Sequence, residues 1–209
     1  MDGASGLSRR DRRRLDTREE ILVAARELLL EVGPEALSLR QVARRADFSP
    51  AALYTYFASR DEIVAALFAE SFERLGVYLS RVPFDLPVDR RLVELGRAYV
   101  DFARENPVDL RCILASTSQE GLPSSSGVAL GLGAARVIAE SFREGKENGI
   151  IRTDVSLSSA EMAFTTWALV HGMAVLSSLD MGEVQDIAPP APRRVLEAFV
   201  ALLTTSEPR

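Results

Sequence analysis

The chain has 209 residues, of which 47% are hydrophobic and 26% are charged, and its formal net charge is −5. This composition supplies ample apolar material for a core and excludes the highly polar chains that stay disordered. The single cysteine, Cys112, rules out an internal disulfide and any metal site built from several cysteines, which fits a reducing cytoplasm. No apolar run approaches the ~20 residues of a membrane span, and no apolar segment follows the first arginines, so we expect no secretory signal.

Charge is unevenly distributed along the chain. Residues 1–62 hold equal numbers of acidic and basic side chains, so the net charge of −5 arises in residues 63–209. An acidic body argues against a general nucleic-acid coat protein but not against a small nucleic-acid-binding module. We predict that residues 1–15 form a disordered basic arm. Within it, Arg9–Arg14 (RRDRRR) either lies on a nucleic-acid backbone or in a minor groove, or only keeps the chain soluble.

Helical periodicity begins with a predicted helix over about Asp16–Val32. Its apolar residues recur three and four positions apart, which places them on one face. Thr17 and Glu20 have the spacing of a capping box at its start. Gly33 and Pro34 follow its last turn, where this pair is typical of a helix end.

Two short helices and a long one are predicted next. The first of the short helices follows Ser38 in the sequence SLRQVARR, because serine is a preferred N-cap. The other follows Ser49, has Pro50 at its first helical position and runs to Phe57. The long helix covers about Arg60–Val82. Short capped helices in this order are typical of a helix-turn-helix.

The rest of the chain is also predicted to be helical, so the expected fold class is all-α. No alternating β-type run of useful length occurs, and glycine and proline fall between the helical blocks. The predicted helices cover about Val88–Asn106, Val108–Thr117, Val128–Asn148, Leu157–Leu179 and Pro192–Thr204. The segment GLPSSSG before Val128 is predicted to be a loop.

The helix after Ser49 carries residues that suit contact with nucleic acid. Tyr54 and Tyr56 are two positions apart, so they cannot both face one core. Their hydroxyls and that of Thr55 can reach phosphate oxygens, while the small residues before them let the helix enter a major groove about 12 Å wide. Arg40, in the preceding helix, is long enough to reach either a phosphate or a guanine edge.

The stretches TREEILVAARELLLEVG and LSLRQVARRADFSPAALYTYFASRDEIV resemble the N-terminal DNA-binding domain of the TetR family of transcriptional regulators. The resemblance implies a three-helix helix-turn-helix domain over residues 16–68 and a helical effector-binding and dimerisation domain over residues 69–209. It also implies that one set of residues contacts DNA: Ser38, Arg40, Ser49, Pro50, Ala51, Ala52, Tyr54, Thr55, Tyr56 and Arg60. Arg44 and Arg45 are expected to be surface charges.

Two positions depart from the family pattern. The turn position that usually holds glycine is Asp47, which adopts a left-handed conformation less readily than glycine. The position after Phe57 often holds lysine in the family, and here it is Ala58. One phosphate contact would then be missing. Arg60 would contact the phosphates alone or together with the arginine-rich arm.

The helix Leu157–Leu179 is apolar on most faces, which requires burial on more than one side. One side can pack on the core, and we expect the other to meet a second copy of the chain. The resemblance implies a homodimer in which this helix and Pro192–Thr204 of each copy form a four-helix interface. A two-fold dimer would also place two helix-turn-helix motifs on the half-sites of a palindromic operator.

The segment WALVHG resembles a signature in one subgroup of these regulators. It places Trp167 and His171 on one helix face, either as part of an effector pocket or as packed core residues. A pocket of weakly polar and apolar side chains is expected in the C-terminal domain, and each member is equally compatible with the core. The candidates are Phe72, Tyr99, Phe102, Cys112, Ser116, Phe142, Trp167 and His171.

The leading hypothesis is a repressor that a small molecule releases from its operator. A second hypothesis keeps the DNA-binding module but assigns the C-terminal domain to a protein partner. A third, a small hydrolase, lacks support because the sole histidine lies in an apolar helix and no nucleophile elbow or phosphate loop occurs. We expect no metal site, no cofactor and no enzymatic activity.

Overall fold

The computed structural model describes residues 8–116, 127–177 and 191–205, except for the side chains of residues 34, 115–116, 127–132 and 134. This described part is all-α, as predicted, apart from one isolated antiparallel bridge between Ile151 and Thr204. Its helices are α1 (Arg9–Ala36), α2 (Leu39–Arg45), α3 (Pro50–Leu53), α4 (Arg60–Ser80), α5 (Val88–Glu105), α6 (Pro107–Ser116), α7 (Gly127–Glu147), α8 (Ser159–Ser177) and α9 (Pro192–Leu203).

The predicted helices after α3 agree with the structure to within about two residues at the ends that are described. The predicted loop GLPSSSG lies outside the described residues except for its last glycine, and so does the predicted end of the Leu157–Leu179 helix. Across the described ranges, none of the helices has both the length and the apolarity to cross a membrane.

The described chain divides into two compact units. Unit 1 contains residues 8–71 and 108–116, and unit 2 contains residues 72–107, 128–177 and 191–205. The predicted boundary between residues 68 and 69 lies three residues before the end of the first segment of unit 1. The sequence did not indicate that α6 joins the N-terminal unit although α5 before it belongs to unit 2. Helix α4 begins in one unit and ends in the other.

Helix α1 begins seven residues earlier than predicted, at Arg9, so the expectation of a disordered arm over residues 1–15 is wrong for residues 9–15. Ser8 is the N-cap, and it forms a reciprocal capping box with Asp11. Thr17 and Glu20, which were expected to cap the helix, therefore lie in its interior. At the other end Gly33 has φ 78°, which breaks the helix where it was predicted to stop.

Unit 1 is built on an apolar cluster from α1, α2, α3, α4 and α6. Ile21, Leu53, Phe57 and Cys112 are fully buried in it. Arg18 of α1 covers the Phe57 ring, with its guanidinium carbon 4.2 Å from the ring centroid. The cluster thus holds the short helices on a platform made by the long ones.

A buried polar network also joins the helices of unit 1. The Arg26 guanidinium, on α1, donates to the carboxylates of Glu70 on α4 and Asp109 on α6. The fully buried Ser71 donates to the same Asp109 carboxylate over 2.8 Å. Because Asp109 is itself buried, the cation offsets the cost of placing its charge in the interior. The network fixes α6 to α1 and α4.

In unit 2, α5 packs against α8 and α9, and it carries a buried arginine. Arg91 is only 2% exposed, and its guanidinium donates to the Glu144 carboxylate, to the Ser141 hydroxyl at 3.2 Å and to the Phe84 carbonyl. These partners lie on α7 and on the loop before α5, so one side chain connects three segments of the unit. The position of Arg91 is a feature that sequence periodicity did not reveal.

Candidate nucleic-acid interface

The helix-turn-helix of unit 1 is fixed by backbone hydrogen bonds at its turn. The Phe48 N–H donates to the Ala43 carbonyl over 2.8 Å, and the Asp47 N–H donates to the Arg44 carbonyl over 3.4 Å. Together they form a Schellman motif, whose central residue must be left-handed. Asp47 occupies this position with φ 59°. This agrees with the prediction that Asp47 is at the turn position that usually holds glycine.

Serine side chains start both helices of the motif. The Ser38 hydroxyl accepts from the Gln41 N–H at 3.3 Å, and the Ser49 hydroxyl accepts from the Ala52 N–H at 3.1 Å. Helix α3 ends at Leu53 rather than at Phe57, so the prediction of about two turns is wrong. The Tyr56 N–H bonds to the Leu53 carbonyl at 2.9 Å, three residues back, which tightens the chain and lets Phe57 enter the core.

The predicted contact residues lie on or beside the surface of this motif. Tyr54 is 57% exposed, and the half-buried Tyr56 ring packs edge-on against Phe48 with centroids 6.4 Å apart. The Thr55 hydroxyl donates to the Ala52 carbonyl over 2.7 Å, and it keeps its lone pairs available to a donor. The other exposed members are Arg40, Ser49, Pro50 and Ala51, and the half-buried ones are Ser38, Ala52 and Arg60.

The arginines next to these residues have different surroundings. Arg45 pairs with Glu31 over 2.7 Å and with Glu27 over 3.3 Å, both on α1, in keeping with its expected role as a surface charge. The hydrogen bond from Arg45 lowers the pKa of the Glu31 carboxyl below its usual value. Arg60, at the start of α4, contacts the Asp61 carboxylate at 2.9 Å. Arg40 and Arg44 are exposed on α2.

The eight predicted pocket residues are divided between the two units. Tyr99, Phe102, Trp167 and His171 lie together in unit 2, whereas Cys112 belongs to the core of unit 1. The remaining three are the fully buried Phe142, the half-buried Phe72, and Ser116, whose side chain lies outside the described residues.

Aromatic rings connect α8 to α5 within unit 2. The Trp167 and His171 rings are 5.1 Å apart, those of His171 and Tyr99 are 5.7 Å apart, and Phe102 continues the row at 6.4 Å from Tyr99. The Tyr99 hydroxyl is hydrogen-bonded to Nδ1 of His171. Burial raises the pKa of the Tyr99 hydroxyl and lowers that of the His171 imidazole, so both groups are neutral at pH 7.

The Trp167 side chain lowers the pKa of the Tyr99 hydroxyl and so opposes the effect of burial. The direction of the Tyr99–His171 hydrogen bond depends on the imidazole tautomer. When the Tyr99 hydroxyl donates to Nδ1, the imidazole proton is on Nε2. That nitrogen is buried and has no hydrogen-bond partner among the residues that the structure describes.

Comparisons with known proteins agree with this architecture. The model of the bacterial regulatory proteins, tetR family, matches residues 21–67, and the tetracyclin repressor-like C-terminal domain matches residues 92–203. The transcriptional regulator UidR of Escherichia coli K12 is 26% identical over 151 residues, which cover 67% of this chain and 71% of UidR. The chain is therefore similar to known regulators through both of its predicted domains.

Solved structures share the fold. A regulatory protein of the tetR family from Rhodococcus RHA1 superposes with a TM-score of 0.71 at 18% identity, over 89% of this chain and 94% of that one. AibR, in complex with isovaleryl coenzyme A and operator DNA, gives 0.70 at 18% identity, over 90% and 97%. Because the C-terminal family model alone matches more than half of the sequence, this chain belongs to the TetR family of transcriptional regulators.

Proposed function

We propose that the chain is a homodimeric repressor that leaves a palindromic operator when its C-terminal domain binds a small molecule. The observation that carries the DNA-binding part is the exposed face of the helix-turn-helix, held by a Schellman turn and two serine caps. Tyr54 is on its surface beside small residues, so its hydroxyl can donate to a phosphate oxygen while the leading end of the helix enters a groove.

Footprinting of the protein on DNA from the neighbourhood of its own gene tests this part. The expected result is a palindromic protected site whose affinity falls steeply with salt. Tyr54→Phe should weaken binding by a similar factor on every operator variant, because a phosphate contact carries no sequence information. Arg40→Ala should relax preference at one base pair, if it reads a guanine, and Arg44→Ala is the matched control on the same helix. A protein that binds no fragment at low salt contradicts the proposal.

The proposed dimer uses α8 and α9. Phe164 and Leu176 on α8 are 64% and 55% exposed in the single chain, and Leu202 on α9 is 71% exposed. Large apolar side chains exposed on two helices that both pack on α5 suit an interface that a partner covers. Sedimentation of Phe164→Glu with Leu202→Glu should give monomers with weaker operator binding, and a wild-type monomer in solution contradicts the dimer.

The proposed effector site contains Tyr99, Trp167 and His171. Nε2 of His171 is buried and has no described hydrogen-bond partner. In the tautomer that carries a proton on Nε2, an effector with a carbonyl or carboxylate oxygen would accept a hydrogen bond from it. Isovaleryl coenzyme A, which is bound by the structurally similar AibR, is a suitable first probe in a panel of acyl thioesters and free acids. A binding compound should raise the Tm of wild type but not of His171→Phe.

We further propose that α4 transmits the effector signal, because it begins in unit 1 and ends in unit 2. Helix α6 gives a second covalent route, since it follows α5 of unit 2 but is bound to α1 and α4 through Arg26 and Asp109. A ligand acts on such a system only through different affinities for two arrangements. If no compound in a broad panel releases the operator, a protein partner becomes the better hypothesis for unit 2.

A further inference from the structure

The N-terminal extension of α1 presents arginines on one face beside the helix-turn-helix. Four arginines lie at positions i, i+1, i+4 and i+5 of the helix, which places them on one side: Arg9, Arg10, Arg13 and Arg14. With Asp11, Thr17, Thr55 and Tyr56 they line an open cleft of about 880 Å³. Tyr56 is one of the residues expected to contact DNA phosphates and Thr55 is next to it, so the cleft continues that surface.

These four side chains have no internal role that would explain them. All four are exposed, and among the residues that the structure describes none of their guanidiniums has an ion-pair partner. The one carboxylate in the cleft, that of Asp11, accepts hydrogen bonds from Ser8 in the capping box. The cleft therefore has a net positive charge and several unused N–H donors.

The position of these charges also disfavours the free helix. The N-terminus of a helix carries a partial positive charge, so a cation in the first turn costs about 0.3–1 kcal/mol. Arg9 and Arg10 occupy the first turn, where only Asp11 has the favourable sign. Charges that weaken their own helix are expected where an anion neutralises them in the working state.

We propose that the arginine face of α1, together with Tyr56, binds the phosphate backbone of the operator next to the groove that α3 enters. This inference rests on the proposed DNA-binding function and extends its interface to a segment that the helix-turn-helix motif does not include. The face supplies affinity without base preference, because guanidinium–phosphate contacts read no sequence. It also replaces the phosphate contact that is missing at Ala58, where the family often has lysine.

The test measures binding of full-length variants to the footprinted operator and to an unrelated duplex over a range of salt concentrations. Replacement of the four arginines by alanine should lower the affinity for both duplexes by about tenfold or more. It should also reduce the slope of log K against log salt by about 3–4 in magnitude, because each phosphate contact contributes about 0.9. The same four positions changed to lysine should retain most of the slope, since lysine also binds phosphate.

Arg12→Ala is the matched control, because Arg12 lies on the same helix turns but does not line the cleft. It should leave the slope nearly unchanged. Alanine favours helix more than arginine does, so far-ultraviolet circular dichroism should show that the fourfold variant stays folded. An unchanged slope in the fourfold variant, or an equal loss per arginine in Arg12→Ala, overturns the inference while leaving the proposed function intact. A wild-type protein that binds neither duplex overturns both.

Discussion

Two sets of arginines in this protein are used in opposite ways. At the start of unit 1, Arg9, Arg10, Arg13 and Arg14 are exposed and have no ion-pair partner in the described residues. In unit 2, Arg91 is 2% exposed and donates to a carboxylate, a hydroxyl and a carbonyl. The first arrangement leaves donors for another molecule, whereas the second uses them to hold the protein together. Recognition and stability thus depend on different arginines.

The largest effect that follows from this comparison is on folding. Arg91→Met should destabilise unit 2 by about 2–4 kcal/mol, because the partly buried Glu144 carboxylate and Phe84 carbonyl lose the donor that the buried guanidinium supplies. Arg40→Ala, on the exposed face of unit 1, should change the free energy of unfolding by less than about 0.5 kcal/mol. Urea unfolding measures both variants. Equal destabilisation by the two substitutions would contradict the distinction between exposed and buried arginines.

Two glycines of unit 2 differ in the space that their surroundings leave for a side chain. A Cβ at Gly145 on α7 would lie 2.5 Å from Cγ1 of Ile151, so Gly145→Ala should cost about 1–3 kcal/mol. A Cβ at Gly76 on α4 meets nothing within 4 Å among the described atoms, so Gly76→Ala should stabilise by about 0.5–1 kcal/mol. Thermal unfolding should move in opposite directions for the two variants, and shifts of the same sign would refute the packing argument.

The turn of unit 1 depends on backbone conformation rather than on packing. Asp47 has φ 59°, so Asp47→Val should cost about 1–2 kcal/mol because a branched side chain is strained in the left-handed region. Asp47→Gly removes the strain and should be neutral or slightly stabilising. The operator affinity of the glycine variant should stay close to that of wild type. A valine variant as stable as wild type would show that the turn is not constrained in this way.

The smallest expected effect is the pH dependence of unit 2. Burial lowers the pKa of His171 below its ordinary value of 6.5, so the unfolded chain binds a proton more readily than the folded one. The contribution to stability is complete above pH 6.5 and decreases as the pH falls below it. His171→Gln removes this contribution. Subtracting the pH dependence of the variant's free energy of unfolding from that of wild type therefore separates the effect of His171 from that of the carboxylates.

The chain's only histidine makes this prediction easy to follow, because its imidazole gives one NMR signal to titrate. The midpoint in the folded protein should be below 6.5. A midpoint at or above the ordinary value would show that the Tyr99–His171 contact differs from the one described.

The fold class and the helix-turn-helix could be predicted from sequence because their signals are local. Serine caps, Pro50 and a residue at the turn that must be left-handed act within a few positions of one another. The start of α1 is harder to predict although Ser8 and Asp11 have the capping spacing, because the run of arginines that follows is also typical of a disordered arm. The premature end of α3 was also missed, because it depends on Phe57 reaching a core that distant helices build.

The interior chemistry could not be predicted for a related reason. Tyr99 and His171 are 72 positions apart, and Arg91 and Glu144 are 53 positions apart, so only the packing of α5 on α7 and α8 brings them together. Periodicity marks such residues as buried without indicating their partners. Cys112 is an example of this limit of sequence periodicity. It was a candidate for a pocket in the C-terminal domain, but its side chain lies in the core of unit 1.

The buried position of Cys112 makes its rate of labelling by a thiol reagent a measure of how often the core of unit 1 opens. Its thiol is 0% exposed in the same apolar cluster as Leu53 and Phe57, so a maleimide reagent reaches it only when that cluster opens. Because the chain has no other cysteine, the labelling rate reports local opening of unit 1 alone. Saturation with operator DNA should slow the labelling of Cys112. An effector that destabilises the core of unit 1 should make the labelling faster.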